Sequence, residues 1–203
     1  MTTTPAVRIL AIGGSTRPQS SSELALNVAA MAAQAAGAEV ISITGRDLMF
    51  PIYDTETTHR DPLALDFVEK VRTAHGILIA SPGYHGGISG MMKNALDYIE
   101  DLREHDPSYL DGRSVGCISV AYGWQATVST LHQLRQVVHA LRGWPTPLGG
   151  TVNASVTKFD ADGSCQDTGA AEQLAIIGRQ VVEFAQMRQA STDATAPSAN
   201  SGS

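Results

Sequence analysis

The sequence is poor in cysteine and in positive charge, and each shortage excludes a class of protein. Its two cysteines, Cys117 and Cys165, cannot build a disulfide framework, and no Cys/His cluster has the spacing of zinc ligands. Fourteen Lys and Arg residues stand against twenty Asp and Glu, which gives a net charge of −6. An acidic chain without a basic run matches neither nucleic acid nor an anionic membrane. We therefore expect no nucleic-acid partner and no metal site.

Long apolar runs are also missing. No stretch approaches the roughly 18 apolar residues that a membrane helix needs. The first five residues are polar and lead directly into a strand-like run, without the apolar region of a signal peptide. We expect a cytoplasmic protein with reduced thiols and no membrane contact. With 43% hydrophobic and 17% charged residues in 203, the chain has enough apolar side chain for one folded domain.

Apolar runs alternate with helix-like periodicity along the chain. Buried strands are predicted at residues 7–12, 39–44, 76–81, 114–121 and 148–152, each followed by a segment with apolar residues at helical spacing. This alternation predicts an α/β fold, a flavodoxin-like doubly wound parallel sheet of five strands in the order 2-1-3-4-5 with helices on both faces. The domain would cover residues 1–188. Residues 189–203 lack an apolar period, which predicts a disordered tail.

The loop after the first predicted strand has the composition of an anion site. It leaves a strand and enters a helix, where free backbone N–H groups and the helix dipole favour negative charge. Ser20 and Glu23 have the spacing of a capping box, which puts the helix start near Ser20. Arg17 is the only cation among several hydroxyls, those of Ser15, Thr16, Ser20, Ser21 and Ser22. The alternative interpretation is a polar turn with an ordinary helix cap.

Two common phosphate motifs are absent from this loop. There is no G-x-x-x-x-G-K-[ST] sequence, which excludes a nucleoside-triphosphate loop, and no G-x-G-x-x-G sequence, which excludes the Rossmann pyrophosphate turn. A serine-rich loop suits a monophosphate enclosed by hydroxyls and amides.

The loop after the third predicted strand is rich in glycine. It contains Pro82, Gly83, Tyr84, His85 and Gly86. Glycines allow a backbone to approach a flat ligand closely and to present its N–H and C=O groups. A ring edged with carbonyl and N–H groups, such as isoalloxazine, would be recognised in this way. Alternatively, the histidine is an exposed loop residue and the tyrosine packs on its own loop.

Together these two loops resemble motifs of the NAD(P)H-dependent FMN reductases of flavodoxin-like fold. The family motif G-S-x-R-x-x-S-x-(N/S) corresponds to residues 14–22, and P-x-Y-(N/H)-G followed by K-N-x-x-D corresponds to residues 82–97. The resemblance extends from about residue 7 to residue 148. Two features depart from the family pattern. Gly83 stands where the family often has Glu, and the loop after the fourth strand, with Tyr122, Gly123 and Trp124, is less rich in Ser and Gly.

The resemblance implies a cofactor, a site and an activity. The FMN phosphate would lie at Ser15, Arg17, Ser20 and Ser22, and the ring along residues 82–86 with its other side near residues 122–124. NADPH or NADH would stack on the flavin and pass a hydride to N5, so that no catalytic side chain is required. A backbone N–H near residues 84–86 would favour the anionic reduced flavin. A homodimer or homotetramer is also implied.

Three redox functions remain open from the sequence, and a regulatory flavin-binding module is a fourth, which would need a partner surface that the residues do not indicate. The first is a flavin reductase, which could supply reduced flavin to a partner monooxygenase. The second is a reductase with tightly held FMN that acts on quinones, azo compounds or chromate. The third is a flavodoxin-like electron carrier without nicotinamide activity, which a modest net charge of −6 and the presence of Arg17 disfavour. The sequence decides neither between NADPH and NADH nor between FMN and FAD.

Overall fold

A computed structural model describes residues 6–195 as a mostly parallel sheet with helices on both faces. The strands are β1 (Arg8–Gly13), β2 (Glu39–Thr44), β3 (Gly76–Tyr84), β4 (Gly87–Ile88), β5 (Ser114–Ala121), β6 (Trp144–Pro145) and β7 (Gly150–Asn153). The helices are α1 (Ser21–Ala35), α2 (Pro62–Thr73), α3 (Gly90–Asp97), α4 (Trp124–Ala140) and α5 (Thr168–Thr195). Short 3₁₀ turns cover Gly45–Leu48 and Tyr98–Leu102.

The strand order confirms the predicted flavodoxin-like, doubly wound fold. The sheet runs β2-β1-β3-β5, and β6 and β7 both pair in parallel with β5. This is the order 2-1-3-4-5 when the antiparallel two-residue β4 is left out of the count and β6 and β7 count as one interrupted fifth strand. The predicted fifth strand at 148–152 is corrected to these two pieces. Pro145 and Pro147 cannot donate to a strand ladder, which explains the interruption.

Apolar side chains fill both faces of the sheet. Along β3, Ile77 and Ile79 belong to the core under α2, α3 and α4, whereas Leu78 and Ala80 belong to the core under α1 and α5. Successive strand residues point to opposite faces, so a strand buried on both sides must be apolar throughout. This burial on both faces explains why the strands are continuous apolar runs in the sequence.

The last helix is longer than predicted. The sequence predicts a disordered tail from residue 189, but α5 continues to Thr195, and the Thr192 hydroxyl donates to Arg188 O at 3.0 Å. Hydrophobic periodicity detects only a buried face, while good helix formers such as Ala190 extend a helix without one. The remainder of the predicted tail, 196–203, lies outside the described residues. Neither α5, with 28 residues, nor any other helix within 6–195 has the length and apolarity to cross a membrane.

Candidate functional site

A cleft of about 400 Å³ lies at the carboxyl ends of the strands, beside the point where the strand order reverses. Its volume falls within the range of small-molecule sites, and its position is the usual one for ligands of doubly wound sheets. The lining residues come from the carboxyl ends of four strands and from the segments that follow them, and are Ser15, Arg17, Ser20, Ser21, Ser22, Pro82, Gly83, Tyr84, His85, Gly86, Val120, Ala121, Tyr122, Ala126 and Ala154.

The electrostatics of the cleft are simple. Among the described residues that line it, Arg17 is the only one with a permanent charge, and no carboxylate is present. Arg17 is exposed and forms no ion pair with the described part of the chain. A chain with a net charge of −6 therefore has a cleft with one uncompensated cation, which favours an anionic ligand.

The loop between β1 and α1 presents hydroxyls and amides to the cleft. Ser20 caps α1, since its Oγ accepts the N–H of Glu23 at 3.3 Å and lies 3.1 Å from Ser22 Oγ. The first bond of the helix runs from Leu24 N–H to Ser20 O at 2.9 Å, so the N–H groups of Ser21 and Ser22 precede the helical ladder. These groups form the donor set that phosphate oxygens require.

Glu23 closes the predicted capping box in a modified form. Its carboxylate accepts the N–H of Gln19 at 2.9 Å, one residue before the cap, and the Thr44 hydroxyl at 3.3 Å. Both carboxylate oxygens are therefore engaged by the protein. The Ser15 hydroxyl proton, one hydroxyl proton of the Ser20–Ser22 pair and the first N–H groups of α1 are left to donate to a ligand.

The glycine-rich loop after β3 is a tight hairpin. Gly83 pairs with Ile88 and Tyr84 with Gly87, which leaves His85 and Gly86 as a two-residue turn. Both turn residues have positive φ, 52° at His85 and 82° at Gly86, as a type I′ turn requires. Tyr84 is 58% exposed at the cleft. The turn thus presents backbone and an aromatic side chain to a ligand.

Ser89 joins the hairpin to the loop after β1. Its hydroxyl donates to Gly14 O at 2.7 Å and accepts Met92 N–H at 3.1 Å as the N-cap of α3, while its own N–H donates to Ser81 Oγ at 3.0 Å. Ser89 is 4% exposed, so these bonds are shielded from water. The two predicted ligand loops are therefore held at a defined separation.

The third wall of the cleft differs from the prediction. Tyr122 lines the cleft and is 80% exposed, but Gly123 and Trp124 are not among the lining residues. Gly123 is the N-cap of α4 with a φ of 111°, and its N–H donates to Asn153 Oδ1 at 3.0 Å. Since α4 begins at Trp124, only Tyr122 of this loop reaches the cleft. The other predicted site residues all line it.

The sequence analysis does not predict the wall of the cleft that follows β7. Ala154 lines the cleft just beyond β7, where Asn153 is 4% exposed and its Oδ1 also accepts the N–H and hydroxyl of Ser155. The shared edge of parallel strands would have indicated this loop if the fifth strand had been extended to its true end. The other missed lining residues, Ser21, Val120, Ala121 and Ala126, flank predicted ones.

Buried sulfur plays no part in the cleft. Cys117 in β5 is fully buried, and burial raises the pKa of its thiol to about 12, which disfavours the reactive thiolate form. Within residues 6–195, no group of three His, Cys, Asp or Glu side chains is arranged to hold a metal ion.

The fold and the cleft together define a flavodoxin-like protein with a ligand-sized cleft at the switch point of its sheet. Residues 7–157 match the family described as NADPH-dependent FMN reductase. The chain belongs to this family of FMN-dependent oxidoreductases, which confirms the resemblance found in its motifs.

Individual relatives agree with this assignment. The chain is 27% identical over 194 residues to the NADPH-dependent FMN reductase ArsH of Shigella flexneri, with 93% of this chain and 74% of that protein covered. It is 36% identical over 105 residues to an FMN-dependent NADPH-azoreductase of Staphylococcus haemolyticus. That match spans 51% of this chain and 48% of the azoreductase, about half the length of each. The flavoenzyme NAD(P)H:(acceptor) oxidoreductase FerB of Paracoccus denitrificans shares the fold, with a TM-score of 0.69, 19% identity, and 90% and 99% coverage of the two chains.

Proposed function

We propose that this protein is an NAD(P)H-dependent oxidoreductase that holds FMN in the cleft between its β1, β3 and β5 loops. The observation that carries the proposal is the pairing of two features in one cleft. A serine-rich helix N-terminus with a single uncompensated arginine faces an exposed, glycine-containing turn. The first suits a monophosphate and the second suits a flat ring.

The phosphate would be bound by Arg17 and by the hydroxyls of Ser15, Ser20 and Ser22. The N–H groups at the start of α1 add donors that need no side-chain ordering. Ser15, Ser20 and Ser22 are at most 6% exposed, so their hydroxyls are already held in position before a ligand arrives. Such preorganisation increases affinity, because little conformational freedom is lost on binding.

The ring would lie along residues 82–86, with Tyr122 on its other side. FMN supplies the hydride chemistry when it is bound. The role of the protein is to bind and orient the ring, to direct backbone N–H groups at it, and to leave one face open for the nicotinamide. No side-chain acid, base or nucleophile is assigned. NADPH as the donor is supported by the family description and by the names of the two relatives.

The final electron acceptor separates two versions of this function. In one, the protein releases reduced flavin, which could serve a partner monooxygenase. In the other, FMN stays bound and an azo compound, quinone or chromate is reduced, a version that the azoreductase relative supports. Membership of the reductase family disfavours a pure electron carrier. A homodimer or homotetramer and a cytoplasmic location stay predictions.

The proposal is tested by titrating FMN into the purified protein and then adding NADPH or NADH without oxygen. We expect saturable binding followed by bleaching of the flavin absorption. Tight retention would favour the version with resident FMN, and weak retention would favour flavin release. Binding without bleaching by either nucleotide would indicate an electron carrier. If no flavin bound, the proposed function would be wrong.

A further inference from the structure

The outer edge of the 83–88 hairpin is bonded to α4 rather than to the sheet. Ile88 is the register partner of Gly83, but its N–H donates to Gln133 Oε1 at 3.0 Å. The carbonyl of Gly86 in the turn accepts the Ser129 hydroxyl at 2.9 Å. Pairing between the two strands leaves the N–H of Ile88 and the carbonyl of Gly86 free. Two side chains of α4 form hydrogen bonds with these two groups.

Ser129 and Gln133 are four residues apart, so they lie on the same face of α4. The hydroxyl proton of Ser129 has two acceptors, Gly86 O at 2.9 Å and Ala126 O of its own helix at 3.2 Å, and the bond to the hairpin is the shorter. Gln133 also packs closely on the hairpin, because a Cβ placed on Gly87 would lie 3.0 Å from its Oε1. The helix face thus follows the outer edge of the hairpin.

The same helix begins at the opposite wall of the cleft. Gly123, directly after Tyr122, is the N-cap of α4, and Ala126 in its first turn lines the cleft. One rigid helix therefore joins the Tyr122 loop to the 83–88 hairpin. The two walls that would enclose the ring are therefore both attached to α4.

We propose that Ser129 and Gln133 are positioning residues that hold the turn at His85 and Gly86 in the orientation required to receive the flavin ring. This inference rests on the proposed function. A two-stranded hairpin with two register pairs is marginally stable by itself, so its orientation depends on what anchors its outer edge. The phosphate loop has supports that do not involve the hairpin, namely Ser20 and Glu23. Loss of the α4 bonds should therefore affect the ring site and spare the phosphate site.

The test compares Ser129→Ala and Gln133→Leu with the wild-type protein. We expect the dissociation constants of FMN and of riboflavin to rise by the same factor, about three- to tenfold, as for the loss of a net hydrogen bond. The visible absorption of bound flavin and its midpoint potential should move toward the values of free flavin. Gln133→Glu keeps an oxygen acceptor for Ile88 N–H and should restore affinity and spectrum.

Gln136→Leu is the matched control, since Gln136 is exposed on the same helix and makes no hydrogen bond to the hairpin among the described residues. Wild-type affinity and spectrum in Gln133→Leu would overturn the positioning role. So would equal effects of Gln136→Leu, or a Gln133→Glu variant as weak as Gln133→Leu. Absence of flavin binding in the wild-type protein would instead overturn the proposed function, which keeps the two failures distinct.

Discussion

The Oγ1 atom of Thr130 lies 2.6 Å from the point that a Cβ of residue 83 would occupy. Thr130 is fully buried in α4, and its hydroxyl has no hydrogen-bond partner in the described chain. The end of β3 can pass this close to the helix only because residue 83 is glycine. The family motif that this chain resembles often has Glu at this position. In this chain Thr130 occupies the space that such a side chain would need, which explains the glycine.

Gly83→Ala should lower the free energy of unfolding by about 1–3 kcal/mol, because a methyl group is forced into a packed site. Thr130→Ala in the same chain should recover part of this loss, with the Ala121 Cβ contact at 3.0 Å remaining. The measurement is a double-mutant cycle of urea unfolding. Additive effects of the two changes would show that the contact does not couple these positions.

Thr130→Val should leave the unfolding free energy unchanged or slightly higher. Valine has the shape of threonine, and the change removes a buried hydroxyl that has no described partner, which spares the folded state a desolvation penalty. Urea unfolding of the single variant measures this effect. Thr127→Val is the contrasting control on the same helix, because the Thr127 hydroxyl donates to Trp124 O at 2.8 Å. A loss in Thr130→Val as large as that in Thr127→Val would mean that the Thr130 hydroxyl is bonded in solution.

Arg17→Ala should weaken FMN binding by about 1.5–3 kcal/mol, the usual contribution of a hydrogen bond to a charged group. Riboflavin, which lacks the phosphate, should bind almost as it does to the wild-type protein. Fluorescence titration of both flavins measures the difference. Arg179→Ala, an exposed arginine on α5 paired with Glu172, serves as the control and should change neither affinity. Equal weakening of FMN and riboflavin by Arg17→Ala would remove Arg17 from the phosphate site.

Local signals in the sequence predict the start of α1 correctly, whereas tertiary effects limit the prediction of the other residues that line the cleft. The Ser20–Glu23 spacing correctly indicated the start of α1, because capping is a contact between near neighbours. The start of α4 has no such signal, since Gly123 caps it without a side-chain bond. The resemblance therefore places Trp124 beside the ring, whereas in the structure Trp124 begins the helix and does not line the cleft.

The strand β4 is absent from the sequence prediction for a similar reason, since tertiary contacts and not local signals define it. The strand β4 has only two residues, too few for any periodicity. The bonds from its hairpin to α4 span 43 residues of sequence from Gly86 to Ser129 and 45 from Ile88 to Gln133. The fold class needed none of these details. Continuous apolar strands alternating with amphipathic helices already require a two-sided parallel sheet, and the strand order follows from its usual winding.

Gly86→Ala should reduce the unfolding free energy by about 1–2 kcal/mol, because an L-residue pays this much in the left-handed region. Gly86 has a φ of 82°, and an added Cβ would meet only Ser129 Oγ at 3.5 Å, an ordinary contact. The expected loss of stability therefore comes from the strained backbone conformation and not from crowding of the added methyl group. Gly90→Ala is the matched control, since Gly90 opens α3 with no atom within 4 Å of an added Cβ. Urea unfolding should leave Gly90→Ala as stable as the wild-type protein, and a similar loss in both variants would contradict the turn assignment.

The final prediction concerns acid stability and His75, which lies at the other end of the sheet from the cleft. Its Nδ1 accepts the N–H of Arg8 at 2.9 Å, so protonation of this nitrogen would remove the acceptor. Burial, with smaller contributions from Arg8 and Arg113, lowers the pKa of His75 below its ordinary value of 6.5. Because the pKa of His75 is lower in the folded chain than in the unfolded chain, the unfolded chain binds this proton more readily as the pH falls below 6.5. The stabilisation is therefore complete above pH 6.5 and is lost as the pH falls through the lowered pKa of the folded protein.

His75→Asn removes the titration but offers Oδ1 as an acceptor for the same N–H. Between about pH 7.5 and about pH 5, its unfolding free energy should fall less steeply than that of the wild-type protein, because the slope measures the difference in bound protons. His59→Asn, a change at an exposed loop histidine, should keep the wild-type slope. Urea unfolding at several pH values provides all three slopes. If His75→Asn followed the wild-type curve, the acid sensitivity would have to come from other groups, and the pKa of His75 would be the same in the folded and unfolded states.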